Sequence, residues 1–264
     1  MPDAPSILTP PTYGKGLLFG DVEQPKQGIF EENVAQQLGV GTLLVFNDGR
    51  KYRYNKNGAV ALTKNLMNSG AAVIGELEAE TQTVIGANVA VGDIEVLCLV
   101  TTGTALAENA LVGGTVYVES STAIGDDYPI VASRLDPSDD TQLTLRLRYP
   151  IRTAWSATTV LTIKKSPFWD TVVFPTTAEN VAVGVNKIAV AANYFYWGQT
   201  GGACAIVTDN GDTTVKGEPV GAPGSAGAAG EVGVVANDGT DQVWGTAMHG
   251  IAGDGVGLVW LTLD

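Results

Sequence analysis

TLLVF (42–46), NDG (47–49), RKYRY (50–54), NKNG (55–58) and AVAL (59–62) follow one another without interruption. Strand-length apolar and alternating segments are separated here by Asp-Gly and Asn-Gly, which supply the positive φ that tight primed turns need. The stretch therefore predicts two successive β-hairpins. In its middle strand the two-residue side-chain period sets Tyr52 and Tyr54 on one face and Lys51 and Arg53 on the other. A core face and a small basic ladder follow.

The same pattern continues outward from this stretch. TQTVI (81–85), DIEVLCLV (93–100), TVYVES (115–120), YPIVASRL (128–135), TQLTLRLRYP (141–150) and TTVLTIKK (158–165) are strand-sized and bounded by Gly, Pro, Asp or Ser. In QLTLRLRY, Leu143, Leu145 and Leu147 alternate with Thr144, Arg146 and Arg148, the signature of a half-buried antiparallel strand. KIAVA (187–191), YFYWGQ (194–199), ACAIVTD (203–209), EVGVVAND (231–238), QVWGTAM (242–248) and VGLVWLTLD (256–264) repeat the pattern to the end. Tyr194, Phe195, Tyr196, Trp197, Trp244 and Trp260 concentrate there as core material, with an exposed sugar- or protein-binding strip as the alternative. The fold expected is mainly β, built of antiparallel sandwich- or barrel-type modules with at most one or two short helices. Its segments are an N-terminal arm (1–41), a hairpin module (42–80), a central β module (81–175) and a C-terminal β module (176–264).

The arm carries Pro2, Pro5, Pro10, Pro11 and Pro25. Proline's fixed φ and missing N–H argue against regular structure in residues 1 to 28 and for an extended segment ordered by a partner. Between Gly28 and Gly39, Ile29, Val34, Ala35 and Leu38 can share one helical face, so a short helix is expected. Farther on, Gly221, Gly224, Gly227, Gly230 and Gly233 fall at every third position. That is collagen spacing, over too few triplets to stand alone. The readings are a Gly/Ala loop between strands, or a close contact near a threefold axis through Gly224, Gly227 and Gly230.

The chain of 264 residues holds 15 Lys+Arg against 28 Asp+Glu, a net charge of −13, with 45% hydrophobic and 16% charged residues. That balance is of a folded, soluble protein rather than a disordered one. It disfavours nucleic acid and anionic membrane as partners, since a strongly acidic chain gains nothing from phosphate counterion release. The opening MPDAPSILTPPTYGKG has no basic-then-apolar signal pattern, and no run of about 18 apolar residues occurs. Cys98 and Cys204 sit in apolar runs and read as reduced, core-packed thiols.

Chemistry-bearing patterns are sparse. His249 is the single histidine, no GxSxG elbow accompanies it, and neither cysteine has a CxxC neighbour. His249 reads as an ordinary loop or strand residue. Asp126 with Asp127, Asp136 with Asp139 and Asp140, and Asp209 with Asp212 lie in turn-like strings where Asp bonds the local backbone. Calcium is the alternative for these strings, without the EF-hand pattern. No catalytic residue, metal or cofactor is expected.

GTLLVFNDGRKYRYNKNGAVALTKNLM (41–67), YPIRTAWSATTVLTIKKSPFWDTVVFPTT (149–177), ANYFYWGQTGGACAIVTDNG (192–211), EVGVVANDG (231–239) and VGLVWLTLD (256–264) together resemble tailed-bacteriophage virion structural proteins, most of all capsid decoration (cement) proteins. The resemblance lies in style and order of segments rather than in a short motif. It implies a non-catalytic protein, commonly trimeric, made in the host bacterial cytoplasm and bound to the major capsid protein on the outer capsid surface. Contact candidates are Pro10, Pro11 and Tyr13 in the arm, Arg50, Lys51 and Arg53 on the basic ladder, and Arg146 and Arg148 on the alternating strand. A tail or fibre component and a glycan-binding β module are the alternatives.

Overall fold

The computed structural model describes residues 17–19, 27–70, 83–100, 106–120, 122–176, 181–209, 211, 213–223, 227–235, 242–252 and 255–264. Among them there is no α-helix, and the strands are paired almost wholly antiparallel. Two compact units divide the chain: residues 1–70 with 170–264, and residues 71–169. The sequence pattern places breaks at 41/42, 80/81 and 175/176. The contacts divide at 70/71 and 169/170, and they join the first and last stretches of the chain in one unit.

The first unit begins with β1 (Leu17–Phe19), β2 (Leu43–Val45), β3 (Lys51–Asn57) and β4 (Met67–Ser69). The inserted unit follows as β5 (Thr83–Ile85), β6 (Glu95–Leu99), β7 (Thr115–Ser120), β8 (Asp127–Asp136), β9 (Asp139–Leu147) and β10 (Val160–Lys164). The chain then returns through β11 (Trp169–Val173), β12 (Ala182–Asn186), β13 (Phe195–Thr208), β14 (Thr213–Thr214) and β15 (Pro219–Gly221). It ends with β16 (Gly233–Val234), β17 (Val243–Ala247), β18 (Ile251–Ala252) and β19 (Gly255–Thr262).

In the first unit an 11-stranded sheet runs β1-β2-β3-β11-β4-β12-β13-β19-β17-β15-β16, and a further β3–β13 pairing closes β3, β11, β4, β12 and β13 into a ring. Tyr52 and Tyr54 are buried while Lys51 and Arg53 are half-exposed, as the alternation requires. Tyr54 packs edge-on against Trp197, 5.1 Å between ring centres, and stacks beside Phe195. Tyr196, Trp197 and Trp244 are likewise buried, so the aromatic concentration fills the core, and Trp260 is the exception at 43% exposure.

Two turns differ from the sequence expectation. At NDG, the Gly49 N–H donates to Phe46 O and the Phe46 N–H to Arg50 O, and of these residues Gly49 alone has a positive φ, +86°. This is a type I turn followed by a left-handed glycine bulge, the geometry of a longer hairpin loop. At NKNG no turn forms. Asn55, Lys56 and Asn57 continue β3, which pairs with β13 from Lys56↔Phe195 onward. The reason lies in Asn57, fully buried, whose amide donates to Val60 O and Ala191 O at 2.9 Å. The side chain satisfies inner backbone carbonyls instead of shaping a turn, and Leu62 bridges to Val190 in place of a second hairpin strand.

The arm also differs. Leu17–Phe19 pairs with β2, so this part of the proline-rich segment is strand. Residues 27–41 hold turns and a bridge, Asn33↔Phe195, in place of a short helix. Val34 is 66% exposed, so the apolar residues there do not share a buried face. What holds the segment is Gln27, 2% exposed, whose amide nitrogen donates to Phe195 O and whose amide oxygen accepts from the Tyr54 hydroxyl, both at 2.8 Å.

The second unit is a closed antiparallel barrel, β10-β5-β6-β9-β8-β7. Its core holds Val96, Cys98, Val116, Val118, Leu143, Leu145, Leu161 and Ile163, with Tyr128 edge-on to Trp155. Closure leaves no free barrel edge.

Cys98 and Cys204 are both free and buried, one in each unit. Burial pushes the Cys98 thiol up to about 12. Burial also raises Cys204, to about 11, against the pull of the Lys187 ammonium 3.7 Å away. Both free thiols are expected to stay unreactive toward an aromatic disulfide reagent at about pH 8 in the folded protein and to react in urea. Prompt reaction of the folded chain contradicts this burial.

Candidate functional site

The β8–β9 hairpin turns through Pro137 and Ser138. The Asp136 carboxylate accepts the Ser138 N–H at 2.8 Å and hydroxyl at 2.7 Å. Asp139 accepts the Thr141 N–H at 3.0 Å and the Gln142 amide at 2.7 Å. These bonds hold both carboxyls below the usual carboxylate range. Asp209 likewise accepts the Gly211 N–H. Asp136, Asp139 and Asp209 therefore bond their local backbone, whereas Asp126 accepts the Tyr128 hydroxyl and pairs with Arg152. Among the described residues no three His, Cys, Asp or Glu side chains converge as a metal site.

Along β9, Leu143, Leu145 and Leu147 enter the core and Thr144, Arg146 and Arg148 face outward. On the outer surface Arg146 stands between Glu95 of β6 and Ala132 of β8, and Thr144 between Leu97 and Arg134. Arg134 and Arg146 thus lie diagonally on neighbouring strands. A bulge puts Arg134 there: the register runs Ile130↔Leu147, then Ala132↔Arg146. The extra residue shifts the phase of β8, so Ser133 turns inward at 3% exposure and Arg134 turns out.

Ser133 also anchors the neighbouring loop. Its N–H donates to Asn109 Oδ1 at 3.2 Å, its carbonyl accepts the Asn109 N–H at 2.7 Å, and its hydroxyl accepts the Leu111 N–H at 3.1 Å. Asn109 sits at φ +61°, a left-handed position that asparagine tolerates better than most residues. This fastening carries Glu108 to the rim of a recess of about 290 Å³ whose lining includes Glu95, Glu108, Asn109, Arg134, Thr144 and Arg146.

Arg50, Arg53, Arg152, Lys51 and Lys56 are engaged within the chain. Arg50 binds Asp48 at 2.7 Å and lies over the Phe46 ring, bracing the first hairpin turn. Arg53 grips the Asp264 carboxylate with two bonds, 2.8 and 3.0 Å, while the Lys51 ammonium donates to the Asp264 carbonyl at 2.8 Å. The basic ladder thus closes on Asp264, just past β19. Lys56 pairs with Asp170, and Arg152 with Asp126. Arg134, Arg146 and Arg148 make no side-chain hydrogen bond or ion pair among the described residues, and all three are exposed. They are half of the six arginines of a chain with net charge −13.

The remaining sequence candidates are placed as follows. Pro10, Pro11, Tyr13 and Gly224 lie outside the described residues. Gly230 is buried at φ +78°, and a Cβ there would meet Leu66 Cβ and Met67 O at 2.9 Å. A Cβ on Gly227 would lie 2.6 Å from Asp209 Oδ2. Both glycines serve close packing within their own chain. His249 is exposed.

The chain matches no family model, no curated protein and no solved structure.

The Arg53–Asp264 clamp has a pH signature. Burial works to raise the Asp264 carboxyl, but the hydrogen bonds and charges of Arg53 and Lys51 outweigh it and hold the group below its ordinary value. A depressed carboxyl contributes stability above its unfolded pKa of about 3.9 and loses it as pH falls through the folded value. Asp264→Asn is expected to lower unfolding free energy by about 1 kcal/mol at neutral pH. In urea titrations the gap from the parent closes below about pH 4. Equal stability of the two proteins at neutral pH contradicts the clamp.

Proposed function

We propose that the chain is a non-enzymatic bacteriophage virion protein that binds the outer surface of the assembled capsid as a homo-oligomer, a trimer in this reading, and stabilises the shell. The observation that carries the reading is the outer barrel face bearing Arg134, Arg146 and Arg148, none of them in an ion pair or hydrogen bond among the described residues, on a chain whose other described arginines are paired. Guanidinium groups left open on an acidic protein steer it toward an acidic surface and fix register on docking. The net charge of −13 keeps free subunits apart from one another before they meet a shell. A trimer here does not draw on Gly227 or Gly230, which pack internally. A glycan platform is the weaker reading, because Tyr196, Trp197 and Trp244 are buried.

The mechanism is linkage. A ligand that binds the assembled shell and not its dissociated subunits stabilises the shell by about 2.7 kcal/mol when present at a hundredfold over its Kd. Purified protein is expected to co-sediment with mature capsids of its own phage stripped of it, and to raise their disruption temperature. Failure to co-sediment overturns the reading.

A further inference from the structure

We propose that the recess between Arg134 and Arg146 is a socket for a single side-chain carboxylate on an acidic segment of a protein partner. It rests on the capsid-docking reading only for where that partner lies. The carboxylate chemistry stands on the recess itself.

Two guanidinium groups flank the recess diagonally across β8 and β9, neither held by a hydrogen bond or ion pair among the described residues, and each presents a planar fork of donors suited to a carboxylate. The floor is fixed rather than fluid. Ser133 is 3% exposed and tied three ways to the 109–111 loop, so the strand carrying Arg134 and the loop carrying Glu108 hold their spacing. Glu95 and Glu108 also line the recess. They decide the class of ligand. The two glutamates can accept from the backbone N–H groups that accompany a carboxylate on a peptide and never accompany a phosphodiester. Arg148, two residues along β9 on the same outward face, extends the positive face toward a neighbouring acidic residue of the same segment.

The test uses the full chain and fluorescence anisotropy of a labelled hexaglutamate peptide at about 0.01 M salt, where the Debye length is about 30 Å. The parent is expected to bind it, and the double variant Arg134→Gln/Arg146→Gln to bind at least about tenfold more weakly, the scale of one charge-assisted pair. Lys64→Gln, which removes an exposed cation of the other unit, is expected to leave binding unchanged. Should the double variant fold poorly, Glu95→Gln/Glu108→Gln provides the opposite sign: removal of the wall charges tightens hexaglutamate binding. Equal binding by the parent and the arginine variant overturns the proposal, as does competition by a thymidine hexanucleotide as strong as that by unlabelled hexaglutamate. Hexaglutamate binding through these arginines by a chain absent from virions sinks the capsid reading and leaves the socket standing. Abundance in virions with unchanged binding by the arginine variant does the reverse.

Discussion

Trp244→Ala is expected to lower the unfolding free energy of the protein by about 3–5 kcal/mol, the range for emptying a large aromatic from a core. The indole is 0% exposed, stands edge-on to Phe174 at 4.9 Å, and packs among Met67, Val185, Cys204, Ile206, Val220, Val259 and Leu261. Those residues come from β4, β12, β13, β15 and β19, so one cavity touches strands from both ends of the chain. The neighbours sit on a hydrogen-bonded sheet and cannot collapse inward far enough to refill the space. Urea unfolding followed by far-UV circular dichroism measures the loss. Trp260→Ala provides the comparison: that residue is 43% exposed, so its removal leaves no closed cavity and costs about 2 kcal/mol, less than the loss at Trp244. Equal effects of the two substitutions contradict the placement of the aromatic core.

The second large effect comes from adding atoms rather than removing them. Gly245 on β17 faces β19 so closely that a Cβ would overlap the Trp260 carbonyl oxygen and lie 3.0 Å from Leu261 Cα. Those are backbone atoms in the Gly245↔Leu261 register pair, and they cannot rotate away as a side-chain tip can. Gly245→Val therefore forces β17 off β19 and is expected to destabilise the first unit by about 3 kcal/mol or more, at or above the upper end of ordinary overpacking. Gly255→Ala is the control, because nothing lies within 4 Å of its Cβ position; its effect stays within about 0.5 kcal/mol. A Gly245→Val protein with parental thermal stability contradicts the β17–β19 register.

Much of the β architecture is legible in the sequence because the two-residue period is local. Leu143, Leu145 and Leu147 against Thr144, Arg146 and Arg148, and Tyr52 and Tyr54 against Lys51 and Arg53, are visible within seven or eight letters and fold as read. What the letters hide is whatever breaks the period or spans the chain. Arg134 counts inward from Ile130 by strict alternation; the bulge at Ile130/Ala132 reverses it, and no residue type in IVASR announces a bulge. Asn57 reads as a turn residue because Asn-Gly is a strong turn signal, yet its amide serves the backbone carbonyls of Val60 and Ala191. Arg53 reads as an open docking cation because its partner, Asp264, is 211 residues away. Pairing of β3 with β13, which closes the ring, joins residues from Lys56↔Phe195 to Lys51↔Gly201, also far apart in the chain, and has no local signature. Glu95 enters the candidate socket as the cross-strand neighbour of Arg146, and Glu108 and Asn109 enter it through the loop tied to Ser133, contacts that no local stretch of sequence displays.

Such a division also fits the proposed role. Cations near the chain's own acidic residues lock the fold, at Asp48, Asp126, Asp170 and Asp264, and the arginines on the barrel's outer face are the ones left to a partner. A protein that works by holding an assembled shell needs a rigid frame and a fixed docking face, and the closed barrel with its β8–β9 hairpin provides both.

The most direct measurement of that role is the copy number of this chain relative to the major capsid protein in purified virions, by quantitative mass spectrometry with isotope-labelled peptides. A decoration protein that covers the symmetric lattice is present at a ratio of roughly one, or at a simple fraction of it. A count of a few to a few dozen copies per particle, or absence from the particle, contradicts the account.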